Sequence, residues 1–187
     1  MLLHEAARTC AHPNLVGMLD VTYGPGSGKL LGLVFPCIPL DLATHIRSEH
    51  RQIGDGRGVL AGLLPAIAHL HAQQIVHTDV KPPNILLERD DLTALGGHRV
   101  VLADLGNAVV TAPGCQPRPP NRKKIVQEGL EIGTPDYRAP EITVGELLLA
   151  RVDEWACGLV GLQAGMGTST PPVRLLGGSG GLKSRKS

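Results

Sequence analysis

Apolar residues recur at helical spacing through positions 59–73, where Leu60, Leu63, Leu64, Ile67, Leu70 and His71 fall on one stripe. A period near 3.6 places such positions on a single face, so this segment is predicted to be a buried amphipathic helix. Positions 15–23 and 30–35 are strand-like, and Gly24-Pro25-Gly26-Ser27-Gly28 between them supplies the turn of a hairpin. Ile75-Val76, Ile85 to Leu87 and Val100 to Leu102 predict further short strands. Helices are expected over 41–49 and 141–150, with another beginning at Asp153 and running to Leu162. A helix over 2–11 should close at His12-Pro13-Asn14, because proline cannot continue it. Positions 109–133, rich in proline, glycine, arginine and lysine, predict a long loop. Beyond Gly161 the glycine, serine and threonine content rises and the apolar period ends, so 163–187 is expected to be a disordered tail.

Composition narrows the partners. A chain of 187 residues can bury one good core. Its net charge of +1 creates no field that would draw nucleic acid or an anionic membrane. With one Trp, two Tyr and one Phe, a stacking platform for single-stranded nucleic acid is close to excluded. No apolar run approaches the roughly 20 residues of a membrane span, and the first residues lack a signal peptide's layout. Cys10, Cys37, Cys115 and Cys157 stand apart, without a C-x-x-C pair, and read as reduced thiols of an intracellular protein, cytoplasmic or nuclear. His69 and His71 are two apart, so a helix points them to different faces; a surface role is expected, not a metal site.

The chemistry gathers at His77-Thr78-Asp79-Val80-Lys81-Pro82-Pro83-Asn84. An acid, a cation and an amide lie within a few residues, which is what phosphoryl transfer asks for: a proton acceptor, a positive charge near the moving phosphate and a neutral oxygen for a metal. About 25 positions later comes Asp104-Leu105-Gly106, followed by Ala139-Pro140-Glu141. Any one of these residues has a plain alternative as a turn or cap residue. Three motifs in this order and spacing do not.

On these motifs the chain resembles the protein kinase family, in its serine/threonine branch. The resemblance implies an α+β, kinase-like fold over 1–162, with a small-lobe remnant and hinge in 1–38 and the first half of a helical large lobe in 39–162. It implies ATP and Mg²⁺ as cofactors and protein Ser/Thr hydroxyls as substrate. Asp79 would be the catalytic base, Lys81 its electrostatic partner, and Thr134 the threonine that touches the catalytic acid. Asn84 and Asp104 would be the metal ligands, since hard oxygen donors suit Mg²⁺. Asp153, in Asp153-Glu154-Trp155-Ala156-Cys157-Gly158, would hold the backbone around His77.

The stretch from Leu33 to Leu42 resembles the strand and hinge that hold adenine, most like those of cyclin-dependent kinases. Phe35 would stand at the back of the pocket, Pro36 and Ile38 would offer backbone groups to the base, Asp41 would reach the ribose, and Leu86 would form the floor. An ordinary strand running into a helix cap at Asp41 competes with this.

Several family features are missing from this chain. There is no G-x-G-x-x-G loop and no strand lysine before the first helix; the turn at 24–29 fits neither that pattern nor a P-loop. Glu5 is the nearest acid to the expected helix glutamate, and the arginine expected to pair with Glu141 is absent. Thr78 replaces the arginine that usually receives a loop phosphate, and 112–133 contains no Ser, Thr or Tyr, so regulation by loop phosphorylation is not expected. His-Thr-Asp and Asp104-Leu105-Gly106-Asn107-Ala108 are also similar to the SR-protein kinase branch. The basic cluster Arg118, Arg122, Lys123 and Lys124 reads as a solvated loop. Weak activity is expected of the chain as it stands, and a pseudokinase or interaction module, or a non-functional truncated product, are the rival readings.

Overall fold

The computed structural model of this chain describes residues 11–48, 56–89, 98–110, 133–143 and 150–176. The helix expected over 2–11, Glu5, the basic cluster at 118–124 and the side chain of Glu141 lie outside the described residues. The order is β1 (Asp20–Tyr23), β2 (Leu30–Val34), α1 (Leu42–Arg47), α2 (Gly56–Ala72), β3 (Ile75–Val76), β4 (Ile85–Arg89), β5 (His98–Leu102), β6 (Val109–Val110), α3 (Pro140–Thr143), α4 (Arg151–Met166) and α5 (Pro172–Leu176).

Strands β1 and β2 form the expected antiparallel hairpin, pairing Asp20 with Val34 and Thr22 with Gly32. The strand predicted over 15–23 is shorter than expected. Leu15 instead makes a single parallel bridge to Leu102, and Asn14 caps that strand edge by donating Nδ2 to Val100 O at 2.7 Å. Strands β4 and β5 pair in register from Ile85–Leu102 to Arg89–His98. Alternation along β4 sends Ile85 and Leu87 into the core and turns Leu86 to the opposite face.

The core is built on α2. Val59, Leu63, Ala66, Ile67 and Leu70 are buried and meet β5, β3 and the inner face of α4. The predicted stripe is rotated slightly from its sequence form: Ala66 belongs to it, and Leu64 is 45% exposed. Helix α4 contributes Val152, Ala156, Cys157, Val160 and Ala164.

The largest departure is at the end of the chain. Helix α4 passes the expected limit at Leu162 and runs to Met166, where Gly167 closes it in the left-handed conformation. Helix α5 follows, and the Tyr137 hydroxyl donates to buried Gln163 Oε1 at 2.5 Å. Burial pushes the Tyr137 phenol up to about 12, so it remains a neutral donor. Residues 163–176 are therefore part of the folded unit, not tail. Glycine-rich composition concealed helical structure that tertiary packing stabilises.

Candidate active site

The loop after β3 is organised by one buried carboxylate. Asp153, at the start of α4, accepts from the backbone N–H of His77 at Oδ2 and of Thr78 at Oδ1, each at 2.8 Å. His71 Nε2 lies 2.9 Å from the same Oδ2. The surface role expected for His71 is thus incorrect; it faces Asp153 because α2 and α4 pack side by side. His77 is buried and donates Nε2–H to Ala103 O at 3.0 Å, leaving Nδ1 to accept from Asp79 N at 3.3 Å. Burial holds its pKa below the ordinary value, against the opposing pull of Asp153 and the Ala103 carbonyl, so it serves as a neutral spacer between two loops.

That spacer brings Asp79 among the residues named from the sequence. Its Oδ1 accepts from Thr134 Oγ1 at 2.7 Å, and its Oδ2 from Lys81 Nζ at 2.8 Å. Lys81 Nζ also donates to Thr134 Oγ1 at 2.9 Å, closing a three-membered ring of hydrogen bonds. Asn84 Nδ2 donates to the Asp79 carbonyl at 2.9 Å and reaches Oδ2 at 3.4 Å. Burial pulls the Asp79 carboxyl upward, but the Lys81 and Thr134 bonds outweigh it and hold the carboxyl below the usual carboxylate value. Among the described residues Oδ2 takes three donors, from Lys81, Asn84 and Asn107, whereas Oδ1 takes Thr134 alone, so a lone pair of Oδ1 is open to an incoming hydroxyl.

Asp104 lies on the neighbouring turn, Leu105–Asn107, which it caps by accepting from Gly106 N at 3.1 Å. Asp104 and Thr78 both adopt positive φ, 67° and 69°. For a β-branched residue such as Thr78 that conformation costs roughly 1–3 kcal/mol and persists only where surrounding bonds impose it. Gly133, at φ 72°, is required where it stands: a Cβ there would lie 2.7 Å from Thr78 O. This close approach delivers Thr134 to Asp79.

Beside Asp104 opens a largely apolar cavity of about 430 Å³, lined by Val16, Leu33, Phe35, Pro36, Leu86, Ala103, Leu105 and Gly106, with Asp104 as the charged residue of its lining. Phe35, Pro36 and Leu86 therefore meet as the sequence suggested, although Phe35 is 42% exposed. Ile38 does not line this cavity. Asp41 does not either: its Oδ1 accepts from Thr44 N at 2.7 Å and its Oδ2 from Thr44 Oγ1 at 2.8 Å. The helix cap is the observed role, because the free N–H groups of α1 offer that carboxylate nearby donors.

The residues present suit a metal-bound nucleotide. The cavity is apolar and of the size that takes a small ligand. Asp104 is an exposed hard anion at its edge, and Asn84, with its NH₂ spent on Asp79, has its amide oxygen left as a hard neutral donor. Sequence reasoning missed His71 and Asn107. The signal for His71 was its place in the last turn of α2, six positions ahead of His77; Asn107, whose Nδ2 lies 3.4 Å from Asp79 Oδ2, was visible only as part of the Asp104-Leu105-Gly106-Asn107-Ala108 motif.

Comparison with known proteins agrees with this geometry. The family model for the protein kinase domain matches residues 4–175. The chain is 36% identical over 152 residues to a serine/threonine-protein kinase, PkaB, of Streptomyces coelicolor, covering 80% of this chain and 34% of that protein. It is 30% identical over 160 residues to the probable serine/threonine-protein kinase glkA of Dictyostelium discoideum, covering 84% and 30%. It is also 30% identical over 159 residues to cell division control protein 2 homolog 1 of Trypanosoma brucei brucei, covering 83% and 46%. The chain belongs to the protein kinase family. It spans about a third of the length of the first two of these relatives.

Proposed function

We propose that this chain carries the catalytic centre of a protein serine/threonine kinase, which transfers the γ-phosphate of ATP to a protein hydroxyl. One observation carries the proposal: a single ionised carboxylate, Asp79, is held by both Lys81 and Thr134 beside the turn that bears Asp104. Asp79 orients the substrate hydroxyl and accepts its proton. Lys81 keeps that carboxylate ionised and places a positive charge within reach of the developing phosphate charge. Thr134 fixes the carboxylate plane and ties the segment that begins at Gly133 to the base. Asn84 and Asp104 would hold Mg²⁺, and the apolar cavity would hold the adenine, with Leu86 beneath it. When bound, Mg²⁺-ATP supplies the phosphoryl group and the cation that neutralises its charge.

The protein substrate, and an intracellular setting that is cytoplasmic or nuclear, are part of the same proposal. Among the described residues no helix is long and apolar enough to cross a membrane.

The test is a titration with Mg²⁺-ATP followed by radiolabel transfer to a generic basic protein. Ligand at 100 times its dissociation constant should stabilise the fold by about 2.7 kcal/mol, seen as a higher melting temperature. Asp79→Asn should keep that shift and lose transfer by about 10²–10⁴-fold. A wild-type chain that shows the shift without transfer would support the interaction-module reading, and a chain that shows neither would overturn the proposal.

A further inference from the structure

Asp79 and Asp104 sit on loops 25 positions apart, and something must hold those loops at one separation. Two anchors lie at the edges. Ala103 is fixed by its N–H to Asn84 O at 2.9 Å and by its carbonyl to His77 Nε2 at 3.0 Å. Further along, β6 pairs with β3, Val109 opposite Val76. Within the turn between these anchors, the bonds from Gly106 N to Asp104 and from Ala108 N to Leu105 are local and fix nothing relative to Asp79. The link across is made by Thr78, whose Oγ1 donates to Asn107 O at 2.8 Å. It is shorter than the 3.4 Å reach of Asn107 Nδ2 to Asp79.

Resting on the kinase reading above, we infer that the Thr78 hydroxyl is a positioning group that clasps the Asp104 turn to the Asp79 loop. The backbone of Thr78 is held on two sides, by Asp153 at its N–H and by the close approach of Gly133 at its carbonyl. Its side chain can therefore transmit a fixed position to Asn107. Thr78 makes this contact at a positive φ of 69°, a conformation uncommon for a β-branched residue. Thr78 touches no reacting atom. It acts through Asp104, by setting where that carboxylate stands.

The experiment compares Thr78→Val, Thr78→Ser and Thr78→Ala in the full chain, with melting temperature as the control for folding. Losing the clasp should raise amide exchange at residues 105–108 about tenfold in the Val and Ala variants, the worth of one neutral hydrogen bond. Misplacement of the acid should lower kcat about tenfold while KM for nucleotide stays within about twofold. Thr78→Ser should restore both. Should Thr78→Val fail to fold, the Ser and Ala variants decide, since both lack the methyl group and differ in the hydroxyl. Wild-type exchange in Thr78→Ala, or equal losses in the Ser and Ala variants, would overturn the inference. If the wild-type chain transfers no phosphate, the kinase reading fails, while exchange still decides the clasp.

Discussion

His71 Nε2 and Asp153 Oδ2 lie 2.9 Å apart across the α2–α4 contact, and the carboxylate that receives the histidine also carries the backbone of the candidate catalytic loop. The two residues are 82 positions apart in the chain. The packing of two core helices is thereby coupled to the conformation of the segment that presents Asp79.

Removing that carboxylate should cost more than removing the histidine. Asp153→Ala leaves the buried His77 N–H and its Thr78 neighbour without acceptors, an expected loss of roughly 3 kcal/mol. His71→Ala deletes one bond to a charged group and keeps the loop's two, an expected loss of about 2 kcal/mol. Urea unfolding midpoints of the two variants check the order. Equal midpoints would mean that the loop does not depend on Asp153.

The acid limb of activity should depend on Lys81. Asp79 is held below its ordinary value of 3.8, so its ionised form adds stability that is complete above that pH and is lost as pH falls through the lower folded value. In Lys81→Met the largest lowering influence is gone, and burial then raises the carboxyl. The acid limb of the kcat/KM profile should move to higher pH, with kcat reduced about 10²-fold at neutrality. An unmoved acid limb would show that Lys81 does not set the charge of Asp79.

Three glycines of α2 and α4, two at the helix contact and one facing away from it, should respond differently to the same added methyl group. A Cβ at Gly56 would meet Gly161 O at 2.1 Å, a backbone atom that cannot step aside, so Gly56→Ala should cost about 1–3 kcal/mol by forcing α2 from α4. At Gly161 the obstacle is Leu60 Cδ1 at 2.7 Å, the end of a flexible side chain, and the loss should be smaller. At Gly158, exposed within α4, nothing lies within 4 Å, and Gly158→Ala should stabilise by up to about 1 kcal/mol. Thermal unfolding of the three variants tests the ranking.

Much of the fold and site was legible from residue order alone, and the reason is chain geometry. Asp79, Lys81 and Asn84 are confined to one short loop by their spacing, so no distant contact is needed to bring them together. The alternation of Ile85, Leu86 and Leu87 likewise fixes which of them faces the core. Asp41 shows where this stops: sequence offered both a ribose contact and a helix cap, and only the folded chain shows the carboxylate accepting from Thr44 at the start of α1.

The residues that hold the loops to one another were decided elsewhere. Thr134 was visible to resemblance, but its 2.7 Å bond to Asp79 bridges 55 positions and exists because Gly133 slides beneath Thr78. The partnership of Thr78 with Asn107 and the contact of Gly56 with Gly161 have no trace in local composition. The helical end at 163–176 was concealed by its glycines and is held in place by Tyr137 and by the Arg174–Asp136 pair at 2.7 Å. Local spacing determined which groups of this protein could do chemistry together. Burial and packing between distant segments determined which of them meet, because a hydrogen bond between far-apart residues forms only after the core has covered the entropy of bringing them close.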